Sequence, residues 1–159
     1  MILKYICRII QTYMDLEDGV VYLRNEKINQ TKKNDFNIIV GFLSQKNFGT
    51  STSVYNGVET VSVNVLAQVY IEIYGRSFDV VERKEEILMA LSSSFSKEVQ
   101  TSEGFLIAQV PSSFVEVPLL DGSAIPYRFQ ATFNVQFMKK IEKPIGYYDS
   151  IRSEVKYES

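Results

Sequence analysis

The chain has 159 residues, 45% hydrophobic and 23% charged, a balance that fits one globular domain and excludes a disordered or low-complexity chain. Its 17 basic and 19 acidic residues leave a formal charge of -2, which argues against a general nucleic-acid binder. With no histidine and one cysteine, Cys7, internal disulfides and His-dependent nucleophilic arrangements are excluded, and a zinc site would need one thiolate plus carboxylates.

The opening stretch MILKYICRIIQTYMD predicts an amphipathic helix over Met1–Asp15. Ile2, Tyr5, Ile6, Ile9, Ile10, Tyr13 and Met14 recur at helical spacing and form a stripe that packs on a core. Cys7 lies beside that stripe and reads as a small buried hydrophobe. Lys4, Arg8 and Gln11 interrupt the apolar run, so it does not read as a signal peptide. No window approaches the ~18 apolar residues of a membrane span. The expectation is a soluble, cytoplasmic chain with no membrane partner.

Asp18-Gly19 marks a turn, and Val20–Leu23 fits a short edge strand. Asn25–Asn34 reads as a solvated loop, and its Lys27, Lys32 and Lys33 lack the glycines of a phosphate cradle. Phe36–Ser44 is apolar on both faces, which predicts a central strand. Lys46–Val58 reads as a long polar loop carrying the hairpin signal Asn56-Gly57. Phe48 and Tyr55 near its tip would be exposed on a monomer and are candidate anchors for a neighbouring subunit.

Val61–Gly75 is the stretch the rest is organised around. Val61, Val63, Val65, Ala67, Val69, Ile71 and Ile73 fall on one parity. Ser62, Asn64, Gln68, Tyr70, Glu72 and Tyr74 fall on the other, with Leu66 the aliphatic exception. That is one strand with an apolar and a polar face, roughly 50 Å long at ~3.3 Å per residue. A strand of that length bends at a bulge or runs past its domain as half of a hairpin arm.

Gly75 ends the strand, Ser77 is a candidate N-cap, and a single helix is predicted over Phe78–Ser94. Glu82–Glu86 reads as a solvated charged run, and Ser92-Ser93-Ser94 and Thr101-Ser102-Glu103-Gly104 as flanking a short linker. Strands follow at Phe105–Val110 and Phe114–Leu119, with a turn at Asp121-Gly122. Ile125–Lys140 alternates cleanly. Tyr127, Phe129, Ala131, Phe133, Val135 and Phe137 face one side, while Arg128, Gln130, Thr132, Asn134 and Gln136 face the other. From Glu142 periodicity is lost. A domain over 1–142 followed by a C-terminal extension over 143–159 is expected, with Tyr147 and Tyr148 as further interface candidates.

No phosphate loop, dinucleotide fingerprint or kinase signature is present, and the sequence offers no catalytic residue, cofactor site or metal site. The reading is therefore of a non-enzyme built from two helices and several strands, with a long β-hairpin arm.

Three stretches carry a resemblance. They are the opening helix MILKYICRIIQTYM, the strand–turn–helix unit QVYIEIYGRSFDVVERKEEILMALSS and the closing strand IPYRFQATFNVQF. In pattern and order, over roughly residues 1–140, the chain resembles the neck and tail-terminator (tail completion) proteins of tailed bacteriophages. The resemblance implies a structural virion protein whose copies form a closed homo-oligomeric ring, usually a hexamer. Such a ring sits between head connector and tail tube, in the host cytoplasm during assembly and in the virion afterwards. It lets DNA pass without specific binding, which a mildly acidic chain would favour by repulsion. It implies an α+β fold, an antiparallel sheet covered on one face by two α-helices, and it implies no catalytic residue and no cofactor. Three other readings compete with it. One is a monomeric α+β domain that binds a small molecule or peptide. Another is a histidine-free enzyme with converging acids. The last is an RNA-binding sheet using Tyr70, Tyr74 and Arg128.

Overall fold

The computed structural model describes residues 1–26, 35–118 and 127–146. Among the described residues, three helices and six strands follow one another as α1 (Ile2–Tyr13), β1 (Val21–Leu23), β2 (Asn37–Tyr55), β3 (Val58–Gly75), α2 (Asp79–Ser92), α3 (Ser94–Glu103), β4 (Phe105–Ile107), β5 (Val115–Glu116) and β6 (Tyr127–Pro144). The fold is α+β, with sheet order β1-β2-β3-β6-β4 and β5 paired to β6. No helix among the described residues is long and apolar enough to cross a membrane.

The parity of β3 decides the layers. Val65, Ala67, Val69, Ile71 and Ile73 are fully buried. Val69, Ile71 and Ile73 join Ile6, Ile9 and Ile10 of α1 and Val80, Ile87, Ala90 and Leu91 of α2 in one core. Burial of each valine, isoleucine or leucine among them is worth about 1.5–3 kcal/mol. All three helices lie on this face, where the Tyr5 and Phe105 rings stack 6.3 Å apart.

Four expectations are corrected. The sheet is mixed, because β1 pairs parallel with β2 through Val21↔Ile38 and Leu23↔Val40. The helices number three, because Ser93 takes an extended conformation and ends α2. Its hydroxyl accepts from the Ser96 amide at 3.1 Å and caps α3, where a linker was expected. The stripe of α1 includes Leu3 and leaves Tyr13 exposed. Within Glu82–Glu86, Arg83 is half-buried and donates to the Met14 carbonyl at the end of α1 while gripping Glu86, so it ties two helices together. The predicted loop Asn25–Asn34 falls mostly, and the Asp121-Gly122 turn wholly, outside the described residues.

Gly75 is required by close approach. A β-carbon there would stand 1.7 Å from the Asp35 carbonyl oxygen, which also accepts from the Ser77 amide at 3.1 Å. Gly75→Ala is expected to lower stability by about 3 kcal/mol or more in urea denaturation. Gly146→Ala, where nothing lies within 4 Å, should leave it nearly unchanged.

Cys7 is half-buried against the core, and burial pushes its thiol up to about 12 from 9.0. Below pH 9 this has no effect on stability. As pH climbs from 9 toward 12 the unfolded thiol ionises and the folded one does not, so stability falls. At pH 8, labelling of Cys7 by a thiol reagent should run on the order of a thousandfold slower in native than in denatured protein.

Candidate functional site

The sheet is far longer than the helical layer. At ~3.3 Å per residue the 18-residue β3 spans about 60 Å, whereas the 14-residue α2 spans about 21 Å. Beyond Val65 the helices no longer reach. Every residue from Leu43 to Tyr55 of β2 and from Met138 to Pro144 of β6 is exposed, and Val58–Asn64 of β3 is half-buried between them. The expected hairpin arm is thus a three-stranded ribbon. Lys46–Val58, expected to be mostly loop, is strand up to Tyr55, and the connection is Asn56-Gly57 alone. Both turn residues have positive φ, as a type I′ turn requires. β6 continues two residues past the expected domain boundary at 142. The Ile145 amide just beyond it donates to the Gly57 carbonyl at 2.9 Å, tying the third strand to the turn.

Two bulges set which side chains share a face. Register slips at Leu43, between Phe42↔Val69 and Ser44↔Gln68, and at Gly49, between Phe48↔Asn64 and Thr50↔Val63. Gly49 has φ +69°, a conformation that favours glycine. Phe48 and Tyr55 are seven residues apart, so strict alternation would put them on opposite faces. The bulge places both on the face turned from the helices, Phe48 beside Asn64 and Met138, Tyr55 beside Val58. Phe48 is 45% exposed and Tyr55 78%. Phe48 stands on the lower arm, not near the tip. Tyr147 and Tyr148 lie outside the described residues.

At the base, the same far face holds a polar cluster that sequence reasoning missed. Arg128 donates from Nε and Nη2 to the two carboxylate oxygens of Glu72 at 2.8 and 3.0 Å. That hydrogen bonding holds the guanidinium more firmly protonated than usual. The Tyr22 and Tyr74 hydroxyls bond to each other, and burial first, then this contact, raises the Tyr22 pKa. Tyr70 is 7% exposed, lies against Gly41 and carries the Arg24 guanidinium 5.6 Å above its ring. Tyr70, Tyr74 and Arg128, the residues of the RNA-binding alternative, are thus engaged with Arg24, Tyr22 and Glu72 respectively. The partners are 52 and 56 residues apart, and only the strand register brings them together.

Along the free edge of β6, between β4 and β5, run two open clefts, one lined by Pro111, Val115 and Thr132, the other by Gln109, Ser112 and Asn134. No group of three potential metal ligands occurs among the described residues. A scan against models of known protein families finds no match, and a search of curated proteins finds no significant one.

The Glu72–Arg128 pair is open to test. Arg128→Met should cost about 1–2 kcal/mol, a value held down because its side chain is 38% exposed. Adding Glu72→Gln should recover at least half of that loss in a double-mutant cycle read by chemical denaturation.

Proposed function

We propose that the protein is a structural subunit that assembles through its arm into a closed ring at the neck or tail terminus of a tailed bacteriophage. In that role it joins head connector to tail tube and lets DNA pass without binding it specifically. The observation that carries this reading is the arm itself. A ribbon of three strands leaves the domain with both faces in solvent and with Phe48, Val54, Tyr55 and Ile141 exposed along it. Ordering that much backbone outside a core costs conformational entropy that a solitary molecule does not recover, whereas contact with neighbours does. The resemblance in element order supplies the setting, and the lack of histidine and of catalytic signatures fits work done by shape. Phe48 and Tyr55 are candidate contacts within such an assembly.

Native mass spectrometry and negative-stain microscopy test the proposal. The expected result is a closed ring, with six copies the expected number, at tens of micromolar protein. A single subunit at every concentration would contradict it. At about 0.15 M salt the ring should not shift duplex DNA at micromolar protein, and a tight, salt-sensitive complex would argue for a nucleic-acid binder instead.

A further inference from the structure

On the helix side of the arm, Val61 of β3 lies between Thr52 of β2 and Ile141 of β6, Val63 between Thr50 and Lys139, and Glu59, nearer the turn, between Val54 and Lys143. Val54 is 58% exposed and Ile141 61%. Val61 and Val63 share the parity of Val69, Ile71 and Ile73, which are completely buried in the core with the helices. An apolar row on one parity is the pattern of a face that is covered. Here it runs two positions past Val65, where this molecule has no helix to cover it. The opposite face of the same stretch carries Ser51, Ser53, Thr60 and Ser62, between Phe48 and Met138 toward the base and Tyr55 and Val58 at the turn.

We infer that the helix side of the arm docks on the acidic face of α2 in a second copy of this chain. This inference rests on the ring proposal and assigns its contact. Charge selects the occupant. Residues 43–64 and 137–146, the arm, hold four lysines and two glutamates, net +2, so with -2 overall the remainder is -4. Asp79–Glu103, covering α2 and α3, holds six acidic and three basic residues, net -3. Two arms packed face to face would oppose Lys139 and Lys143 of one copy to those of the other. An arm laid on α2 sets the same lysines against acids.

The surface of α2 has the matching form. Glu82, Glu85, Glu86 and Met89 recur at i, i+3, i+4 and i+7, so they share one helix face. Met89 is exposed there. Glu85 and Glu86 already hold Lys84 and Arg83, which leaves the face acidic by count but moderated. The exposed Met89 among its acids thus meets the Val54, Val61, Val63 and Ile141 patch, whose β6 edge carries Lys139 and, opposite Glu59, Lys143. At about 40 Å by about 14 Å, one arm face offers roughly 550 Å², a large share of the ~800 Å² per partner of a standard interface. Arm-on-helix contact joins two different surfaces, so it repeats from copy to copy and closes a ring when the rotation allows.

The test is complementation between two charge-reversed proteins. Lys139→Glu/Lys143→Glu and Glu82→Lys/Glu85→Lys are purified separately, and circular dichroism melts verify that each is folded. Each alone should assemble at least tenfold more weakly than wild type by light scattering. Their equimolar mixture should recover assembly, because alternating copies restore opposite charges at every contact. Val54→Thr/Ile141→Thr keeps β-branching, so the strands persist, and should also weaken assembly at least tenfold. Wild-type rings with both charge variants assembling normally alone, or a mixture that stays unassembled, would overturn the contact and leave the ring intact. A wild type that is monomeric throughout would overturn the ring proposal itself.

Discussion

A row of apolar side chains longer than any layer available to cover it governs this molecule. The one-parity series from Val61 to Ile73 commits β3 to a single register against β2 and β6, because a slip of one residue would turn seven apolar groups to the polar face. Helices rise ~1.5 Å per residue and strands ~3.3 Å, so helices of ten to fourteen residues span less than half of an 18-residue strand. The inner part of the row becomes the core. The outer part becomes a surface. One strand therefore provides both the stability of the domain and its candidate interface.

The far face at the base answers a different need. Tyr70, Glu72 and Tyr74 lie on the polar parity of a strand whose other face is fixed by the core, so they must find partners where they stand. Arg128, Arg24 and Tyr22 supply them from three separate stretches. Every buried side-chain nitrogen or oxygen among the described residues has a partner. Such a network is worth most when complete, because each member left alone would carry its own desolvation cost. It also keys β1, β3 and β6 to one another, holding rigid the platform from which the arm projects.

Much of this could be read in the amino-acid order, and the limits have physical causes. The alternation of β3 and of Tyr127–Phe137 was legible because one face is apolar throughout. Asn56-Gly57 located the hairpin turn because few other pairs accept two positive φ values. The strand before it was not legible. TSTSVY has no buried face, and only pairing with β3 makes it a strand. KKIEKP hid the third strand of the arm in the same way. Gly49 gave no warning that it would move Tyr55 to the side of Phe48, since a bulge is visible only in the register. Ser92-Ser93-Ser94 signalled a break, but Phe95 and Val99, at i and i+4, were too few to announce a further helix. Phe48 and Tyr55 are exposed, as expected, while the face they share was fixed by geometry the sequence does not print.

The central claim is that the outer part of the apolar row is covered by another copy of the chain. Hydrogen exchange measured across a dilution series reads this directly. Amides of Thr50–Tyr55 and Lys139–Lys143 should become more protected as concentration rises through the assembly range, with those of Val65–Ile73 unchanged. Exchange in the arm that is fast and independent of concentration, in a protein shown by scattering to be assembled, would contradict the account.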